Sequence, residues 1–521
     1  MSRRLLAVLV SVVLLSAGWL GATGLTLLAA FVPLLWISDS YAEPTRRNWW
    51  RVFGWALLTF VLWNAATVWW IWGATPVGPF AATIASSTLN MIAFMLYRTA
   101  AAKATRSLAC TTLAAAWIAT EYWYTVGEFS WPWLILGNGF SHDVWAVQWY
   151  EYTGVFGGSL WVLVCNMCIY EAWRTRSRRR IAAAAAAVVL PMLLSAVIYA
   201  AWREPDGERI KVAIVQPDVP VYEAVDPEWR IDNLLALAAE APADVDFIIM
   251  PETAIDDVMA VDEDWTDTHP VLNRLSDFMR ERYPQATLIA GAKSIKRYPP
   301  AERTPTSRAG RGYYYDIFNS AVAVDSAGVQ GIYHKGRLVI GVEKMPIPKL
   351  FEWLDFLIID LGGTTGQLGV SADRMTFRSA RGAEAGAAIC YEGLYGDFYG
   401  GFVRRGAEAM LIISNDGWWG DTPGYRHLFT ISRLRAIEHR RAIARSANTG
   451  RSGFIDARGG VGRTLEWDER GTLTAGLAAD SRLTLYSRYG DWVARAAEYV
   501  LLLCVLYYGA YRVRRKNHLI N

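Results

Sequence analysis

A membrane bundle of eight transmembrane helices carrying one external α/β domain is the architecture this sequence predicts, and three observations predict it. Of 521 residues, 53% are apolar or aromatic and only 19% are charged. Soluble domains carry about 25% charge, so part of this chain must use lipid as its solvent. Eight apolar runs approach the ~20 residues of a spanning helix, all but one of them in the first 202 residues. From about 203 to 490 the texture changes to short β-rich runs alternating with charge-bearing helical stretches. The formal net charge of +3 argues against a nucleic-acid binder, which needs a clustered basic face to neutralise phosphates.

The apolar runs lie near 5–21, 23–38, 53–74, 79–97, 108–126, 154–173, 181–202 and 492–511. Basic residues flanking a span stay on the cytoplasmic side, and here they fall at alternate ends. Arg3 and Arg4, Arg46 to Arg51, Arg98 to Arg106, Arg174 to Arg180 and Arg512 to Lys516 form one set, whereas the loops near 75–78 and 127–153 contain neither Lys nor Arg. Both termini are therefore expected in the cytoplasm and the polar stretch outside. The division reads as seven spans over 1–202, an external domain over 203–490, and a last span with its tail over 491–521. The loop 127–153, with Trp131, Trp133, Trp145, Trp149 and Tyr150, reads as an aromatic belt at the outer interface.

In the external domain the strand candidates are 210–216, 246–250, 287–292, 320–324, 385–390, 410–414 and 441–446. Open α/β sheets carry function at such strand ends. Cys390 is the only cysteine of this domain, the other four falling in apolar runs. With no disulfide partner it is either a nucleophile or an inert buried thiol. Two further strand ends carry charge: Glu252 after the 246–250 run and Lys335 after Tyr333-His334. Acyl transfer by a thiol needs a nucleophile, a base and a cation or N–H donor for the oxyanion, and these three strand ends supply that set.

The blocks Pro251-Glu252-Thr253-Ala254-Ile255, Tyr333-His334-Lys335 followed by Glu343, and Ile389-Cys390-Tyr391-Glu392 resemble those of the nitrilase superfamily. A nitrilase-like domain inserted before the last of eight spans resembles its membrane-embedded branch, the apolipoprotein N-acyltransferase family of Gram-negative inner membranes. The resemblance implies an αββα sandwich in the periplasm, with Glu252 as general base, Lys335 as oxyanion stabiliser, Cys390 as nucleophile, and Glu343, Tyr391 and Glu392 in support. Trp229, and Trp418 and Trp419 in the segment Asn415 to Gly420, are its candidates for substrate contact. It implies a phospholipid acyl donor, a diacylglyceryl-lipoprotein acceptor and no cofactor.

Holding such a site at the bilayer avoids extracting acyl chains at ~0.8 kcal/mol per CH₂. Apolar loop residues Phe351, Trp353, Leu354, Trp418 and Trp419 are then expected to screen a thioester from water. Three other readings compete. A membrane-tethered amidohydrolase would use the same three residues with water as acceptor. A transporter would need intramembrane charge pairs or repeats, of which none stands out although Asn64 and Glu121 lie within apolar runs. A papain-like enzyme would take His427 or His439 as base. No metal site is expected, since the histidines lack ligand spacing.

Overall fold

The computed structural model describes residues 2–223, 225–344 and 367–517, with side chains as far as 511. The chain forms two compact units, one of Met1–Ile71, Val77–Ala200 and Tyr489–Asn521, the other of Trp72–Pro76 and Ala201–Arg488.

The first unit is helical: α1 (Arg3–Ser16), α2 (Val32–Asp39), α3 (Arg46–Val68), α4 (Gly78–Ala101), α5 (Arg106–Val126), α6 (Tyr150–Thr175), α7 (Arg178–Ala201) and a final helix, Trp492–Asn517. Thr45 and Thr105 cap α3 and α5, each accepting a backbone N–H three residues on, which satisfies an otherwise orphaned donor. Among the described residues, five helices are long and apolar enough to cross a membrane: Arg46–Gly73, Gly78–Ala101, Tyr150–Thr175, Arg178–Ala201 and Trp492–Tyr511. The first two apolar runs fold differently, into the 14-residue α1, a 3₁₀ turn over Gly24–Ala29 and the 8-residue α2. Glycines cause the break. Gly21 has φ +82°, and a Cβ on Gly18 would lie 2.5 Å from the carbonyl oxygen of Gly139.

That contact shows what the loop 127–149 does. It is not an aromatic belt: Trp133, Leu136, Phe140, Val147 and Gln148 are buried inside the unit, and among the five aromatics only Trp145 is largely exposed. Backbone away from water must find partners, and side chains provide them. Glu121 Oε1 accepts from Trp117 Nε1 (3.0 Å) and from the Leu136 N–H (2.8 Å), Ser159 Oγ accepts the Gly137 N–H, and Asp143 accepts from Thr23 and Gly24. Asn166 does the same for the 3₁₀ turn, accepting the Phe31 N–H and donating to the Leu27 carbonyl. Periodicity cannot show this burial, because the loop has no repeat and its partners lie on other helices.

Among the described residues the second unit holds two sheets. The first runs in the order β14-β1-β2-β4-β6-β5, with β3 on β4 and β7 on β6; the second runs β13-β12-β11-β10-β9-β8. In chain order the strands are β1 (Arg209–Gln216), β2 (Phe247–Ile249), β3 (Val261–Asp262), β4 (Thr287–Tyr298), β5 (Arg308–Ala309), β6 (Tyr314–Asp325), β7 (Gly328–His334), β8 (Thr376–Arg378), β9 (Glu384–Ile389), β10 (Ala409–Ser414), β11 (Ile443–Ala447), β12 (Ser452–Ile455), β13 (Val461–Leu465) and β14 (Gly471–Ala478). Each of the seven expected runs overlaps a strand. The parallel set β9-β10-β11 is buried almost throughout, as continuous apolar strands covered on both faces must be.

Helices α8 (Pro227–Ala238) and α9 (Pro270–Arg282) cover the first sheet. Their Ile231, Leu234, Leu272, Leu275 and Met279 share one core with Ala213, Ile248, Leu288 and Val322 of the strands. Helices α10 (Gly396–Arg404) and α11 (Pro423–His439) flank the second, where a Cβ on Gly386 would lie 2.7 Å from Phe402 Cβ. Across the middle, Ser446 Oγ of β11 donates to the Val215 carbonyl of β1 at 2.7 Å. The layers are helix, sheet, sheet, helix, and strand ends from both sheets meet at one edge.

Gly137 tests the buried loop. A Cβ there would strike the Val155 carbonyl oxygen, and overpacking typically costs about 1–3 kcal/mol. Gly137→Ala is expected to lower the thermal unfolding midpoint of detergent-purified protein by several degrees, whereas Gly54→Ala, in open space on α3, leaves it in place.

Candidate active site

Glu252 sits three residues past β2, in a turn pressed against β4. A Cβ on Gly291 would lie 2.5 Å from Glu252 Cα, so only glycine lets the turn close, with the Gly291 N–H donating to the Pro251 carbonyl and its own carbonyl accepting the Ile255 N–H. Lys335 follows β7 directly and Cys390 follows β9. Two of these turns are strained. Thr253 has φ +64° and Cys390 φ +48°, a left-handed region that costs non-glycine residues about 1–3 kcal/mol each. The first sheet thus supplies a carboxylate and an ammonium, and the second a thiol.

The polar groups interlock. Lys335 Nζ, 1% exposed, donates to Glu252 Oε1 at 3.0 Å and to Glu343 Oε1 at 2.9 Å. The same two oxygens accept from Asn319 Nδ2 on β6, each at 2.7 Å. Glu252 Oε2 accepts the Asn415 N–H at 3.0 Å, and Glu343 Oε2 the Val339 N–H at 2.8 Å. Burial by itself would drive the Lys335 ammonium down, but the facing carboxylates of Glu252 and Glu343 hold it well above the usual lysine value, so it stays charged. Cys390 is the reverse. Burial and then the negative charge of Glu252 push its thiol up, against opposing pulls from Lys335 and a Ser414 hydrogen bond, so the resting group is the neutral thiol.

Glu392 ties the two sheets together. Its Oε1 accepts the Tyr333 hydroxyl (2.7 Å) and the Gly336 N–H (2.6 Å), on either side of Lys335, while its Oε2 accepts the Ile389 N–H (2.7 Å) just before Cys390. Burial raises its carboxyl to about 7 in spite of these donors. Tyr391 is buried, in edge-to-face contact with Tyr395. Behind the site Asp416 is gripped by Arg445 through two hydrogen bonds of 2.9 and 2.8 Å and accepts from Ser414, which fixes the segment leading to Trp418 and Trp419.

A cavity of about 480 Å³ opens beside Glu252, with Glu343, Asn319, Asn415, Arg230 and Trp418 among its walls. Trp419 is half-buried in the same turn. Trp229 is not brought to the cavity: it is 50% exposed on α8, and its neighbour Arg230 faces inward instead. Phe351, Trp353 and Leu354 lie outside the described residues. His439 is no partner for Cys390, since its two ring nitrogens meet Ser487 Oγ and the Gly396 carbonyl. Among the described residues no group of three or more His, Cys, Asp or Glu is placed to hold a metal.

Residues 211–484 match the carbon-nitrogen hydrolase family, and residues 9–168 match the apolipoprotein N-acyltransferase N-terminal domain. The apolipoprotein N-acyltransferase of Chlorobaculum tepidum is 29% identical over 483 residues, 89% of this chain and 88% of that one. That of Methylococcus capsulatus is 30% identical over 387 residues, 73% of this chain and 70% of its own length. The chain belongs to the apolipoprotein N-acyltransferase family. Among solved structures it is similar to a Nesterenkonia amidase of the nitrilase superfamily, at 16% identity and a TM-score of 0.38, over 55% of this chain and 96% of the amidase.

What sequence reasoning missed in this family member are Asn319, which touches both carboxylates, and Asn415, whose backbone reaches Glu252. Asn319 lies 67 positions from Glu252 and next to an apolar strand run, so no local pattern marks it.

Glu392 gives a pH prediction. Its folded value is about 7 against about 4.3 for an unfolded glutamate, so between these values the native state holds the extra proton. The stability it contributes is complete below about pH 4.3 and is lost as pH rises through 7. Chemical denaturation of wild type and Glu392→Gln is therefore expected to diverge over that window, the wild type losing on the order of 1–3 kcal/mol relative to the variant.

Proposed function

We propose that this protein transfers an acyl chain from a membrane phospholipid, through a Cys390 thioester, to the α-amine of the diacylglyceryl-cysteine of apolipoproteins. The observation that carries this reading is the single polar cluster of Glu252, Lys335 and Cys390 in a chain that matches N-acyltransferases along most of its length. The relatives' name favours an amine acceptor over the water of an amidohydrolase.

The chemistry follows from the resting charges. The thiol is protonated and Glu252 faces it, so deprotonation accompanies attack: the Sγ–H proton passes to Glu252 as sulfur bonds to the ester carbonyl carbon. Lys335, held cationic, stabilises the oxyanion with the N–H groups at the Cys390 turn. The acyl–oxygen bond breaks, Glu252 returns the proton to the glycerol oxygen, and a lysophospholipid leaves. In the second half the neutral α-amine attacks the thioester, Glu252 takes its proton, the carbon–sulfur bond breaks and the thiol is restored with an amide as product. Glu343 shares the Lys335 ammonium and keeps it in place, and Trp418 at the cavity wall limits water.

Eight spans, counted from the apolar runs, place every basic cluster on the cytoplasmic face. In this reading the division is 1–202, 203–490 and 491–521, with the catalytic domain in the periplasm, both termini in the cytoplasm and substrates arriving from the inner membrane.

Intact-mass spectrometry after incubation with phospholipid alone is expected to show one added acyl chain, released by hydroxylamine and absent in Cys390→Ser; a folded enzyme without this adduct overturns the reading. Glu252→Gln is expected to slow adduct formation by about 10²–10⁴-fold, and Lys335→Met by about 10²–10³-fold, while His439→Ala leaves the chemistry within a few-fold wherever it folds. Trp418→Gln is expected to raise thioester hydrolysis relative to transfer to a diacylated lipopeptide; an unchanged ratio removes Trp418 from water exclusion.

A further inference from the structure

Helix α7 stands apart within the helical unit. It is the most apolar of the five candidate spans, yet of its 24 residues only Ala184 and Ser195 are buried, against 13 of the 21 on α5. Pro191 explains how it is held. A proline has no N–H and leaves the carbonyl four residues earlier without its helical donor. That carbonyl, of Ala187, accepts from Trp161 Nε1 at 2.8 Å and from Cys165 Sγ at 3.4 Å, both on α6. Two turns on, Ser195 Oγ accepts the Gln148 N–H at 2.8 Å and donates to the Trp145 carbonyl at 2.6 Å. The Trp161 indole is thus a spacer between α6 and α7, and small residues leave the room beside it open.

That room is a groove of about 1370 Å³ between α5, α6, α7 and the final helix, with Ala114, Ala115, Gly157, Ala187, Leu190 and Leu194 among its walls. Its lining runs from Ala183 to Leu194 on α7 and from Tyr152 to Met167 on α6, roughly 17–22 Å at 1.5 Å per residue. Half the hydrocarbon core is about 15 Å thick, so an acyl chain fills the groove only when extended. The walls are almost wholly apolar, and a bound water needs about 2–4 polar partners. Left empty, the walls lose their dispersion contacts; hydrocarbon restores them.

The two ends differ in charge. Beyond Cys110 and Ala183 lie the starts of α5 and α7 and the end of α6, with Arg106, Arg174, Arg176 and Arg178 to Arg180 against Asp39 and Glu171. Arg106 pairs with both carboxylates, and Arg174 and Arg180 with Glu171, while Arg178 and Arg179 are exposed one turn before Ala183. At the other end Trp149, Tyr152 and Trp492 close the groove, Trp492 Nε1 donating to the Tyr152 carbonyl at 2.8 Å. The charges there, Glu151, Asp491 and Glu498 against Arg495, are net negative. An anionic head group is attracted to the first end and repelled from the second.

We propose that this groove holds one anionic phospholipid, an acyl chain extended along α7 and the head group on Arg178 and Arg179. The assignment needs these helices to span a membrane, as the function proposed above also does, but not the chemistry at Cys390.

Full-length protein in detergent, stripped of lipid, is offered equal amounts of phosphatidylglycerol and phosphatidylethanolamine and read by native mass spectrometry under rising collision energy. Wild type is expected to keep one intact phosphatidylglycerol after all other lipid has left; an acyl chain on Cys390 adds less mass, so the two readings fail separately. At roughly fivefold per arginine facing anionic lipid, Arg178→Gln with Arg179→Gln is expected to lower that retention about 25-fold. Arg46→Gln with Arg47→Gln, which removes the same charge from exposed positions at the start of α3, leaves it within about twofold. Ala186→Trp, which fills the groove from α7, is expected to abolish retention, and the arginine pair decides the matter if this variant does not fold. No retained lipid, equal retention of the two lipids, phosphatidylethanolamine or detergent held instead, or an equal loss in both arginine pairs overturns the proposal, as does undiminished retention in a folded Ala186→Trp.

Discussion

The site depends on one buried ammonium. Lys335 is almost wholly shielded from water, and removing such a charge from solvent costs several kcal/mol unless partners replace its hydration. Glu252 and Glu343 replace it, and their second oxygens are in turn held by backbone N–H groups of Asn415 and Val339. The cluster is therefore satisfied in both directions, and it fixes the relative position of β2, β6, β7 and the turn after β10. A carboxylate and an ammonium held in this way need no reorganisation when charge develops nearby, which is the condition for electrostatic stabilisation in a dry site.

The thiol is arranged on the opposite principle. Cys390 occupies a left-handed backbone conformation and a buried position that favours the protonated form. Both features cost stability, and Glu392 offsets them by accepting the backbone N–H before Cys390 and, on either side of Lys335, the Tyr333 hydroxyl and the Gly336 N–H. A thiol held in its neutral form is less exposed to adventitious oxidation, since thiolate character governs that chemistry. Strain at the turn and restraint by Glu392 belong together: without the restraint, the turn would relax toward ordinary backbone geometry and carry the sulfur with it.

In the helical unit the same accounting of polar groups explains a loop. The turns between 127 and 149 lie in the interior only because Glu121, Asn138, Asp143, Ser159 and Asn166 meet their backbone groups or those of the 3₁₀ turn beside them, and because glycines at 18, 24, 137 and 139 allow close backbone approach. Glu121 thereby has a structural use inside an apolar helix, accepting from the Trp117 indole and the Leu136 N–H.

Much of this was legible in the residues. Period-2 and continuous apolar runs located the strands, because strand patterning is local and the parallel strands are buried on both faces. The order of a carboxylate, an ammonium and a thiol at three strand ends pointed to acyl chemistry, because those groups must follow strands to reach a common edge. Tertiary structure decided the rest. That the loop with five aromatics folds inward, that Arg230 rather than Trp229 faces the cavity, and that Asn319 closes the ring around Lys335 all depend on contacts between residues far apart in the chain. Composition and spacing determine which local elements form and which chemistry is available. Which polar atoms finally meet is set by packing, where each buried group must find a partner wherever the fold brings one.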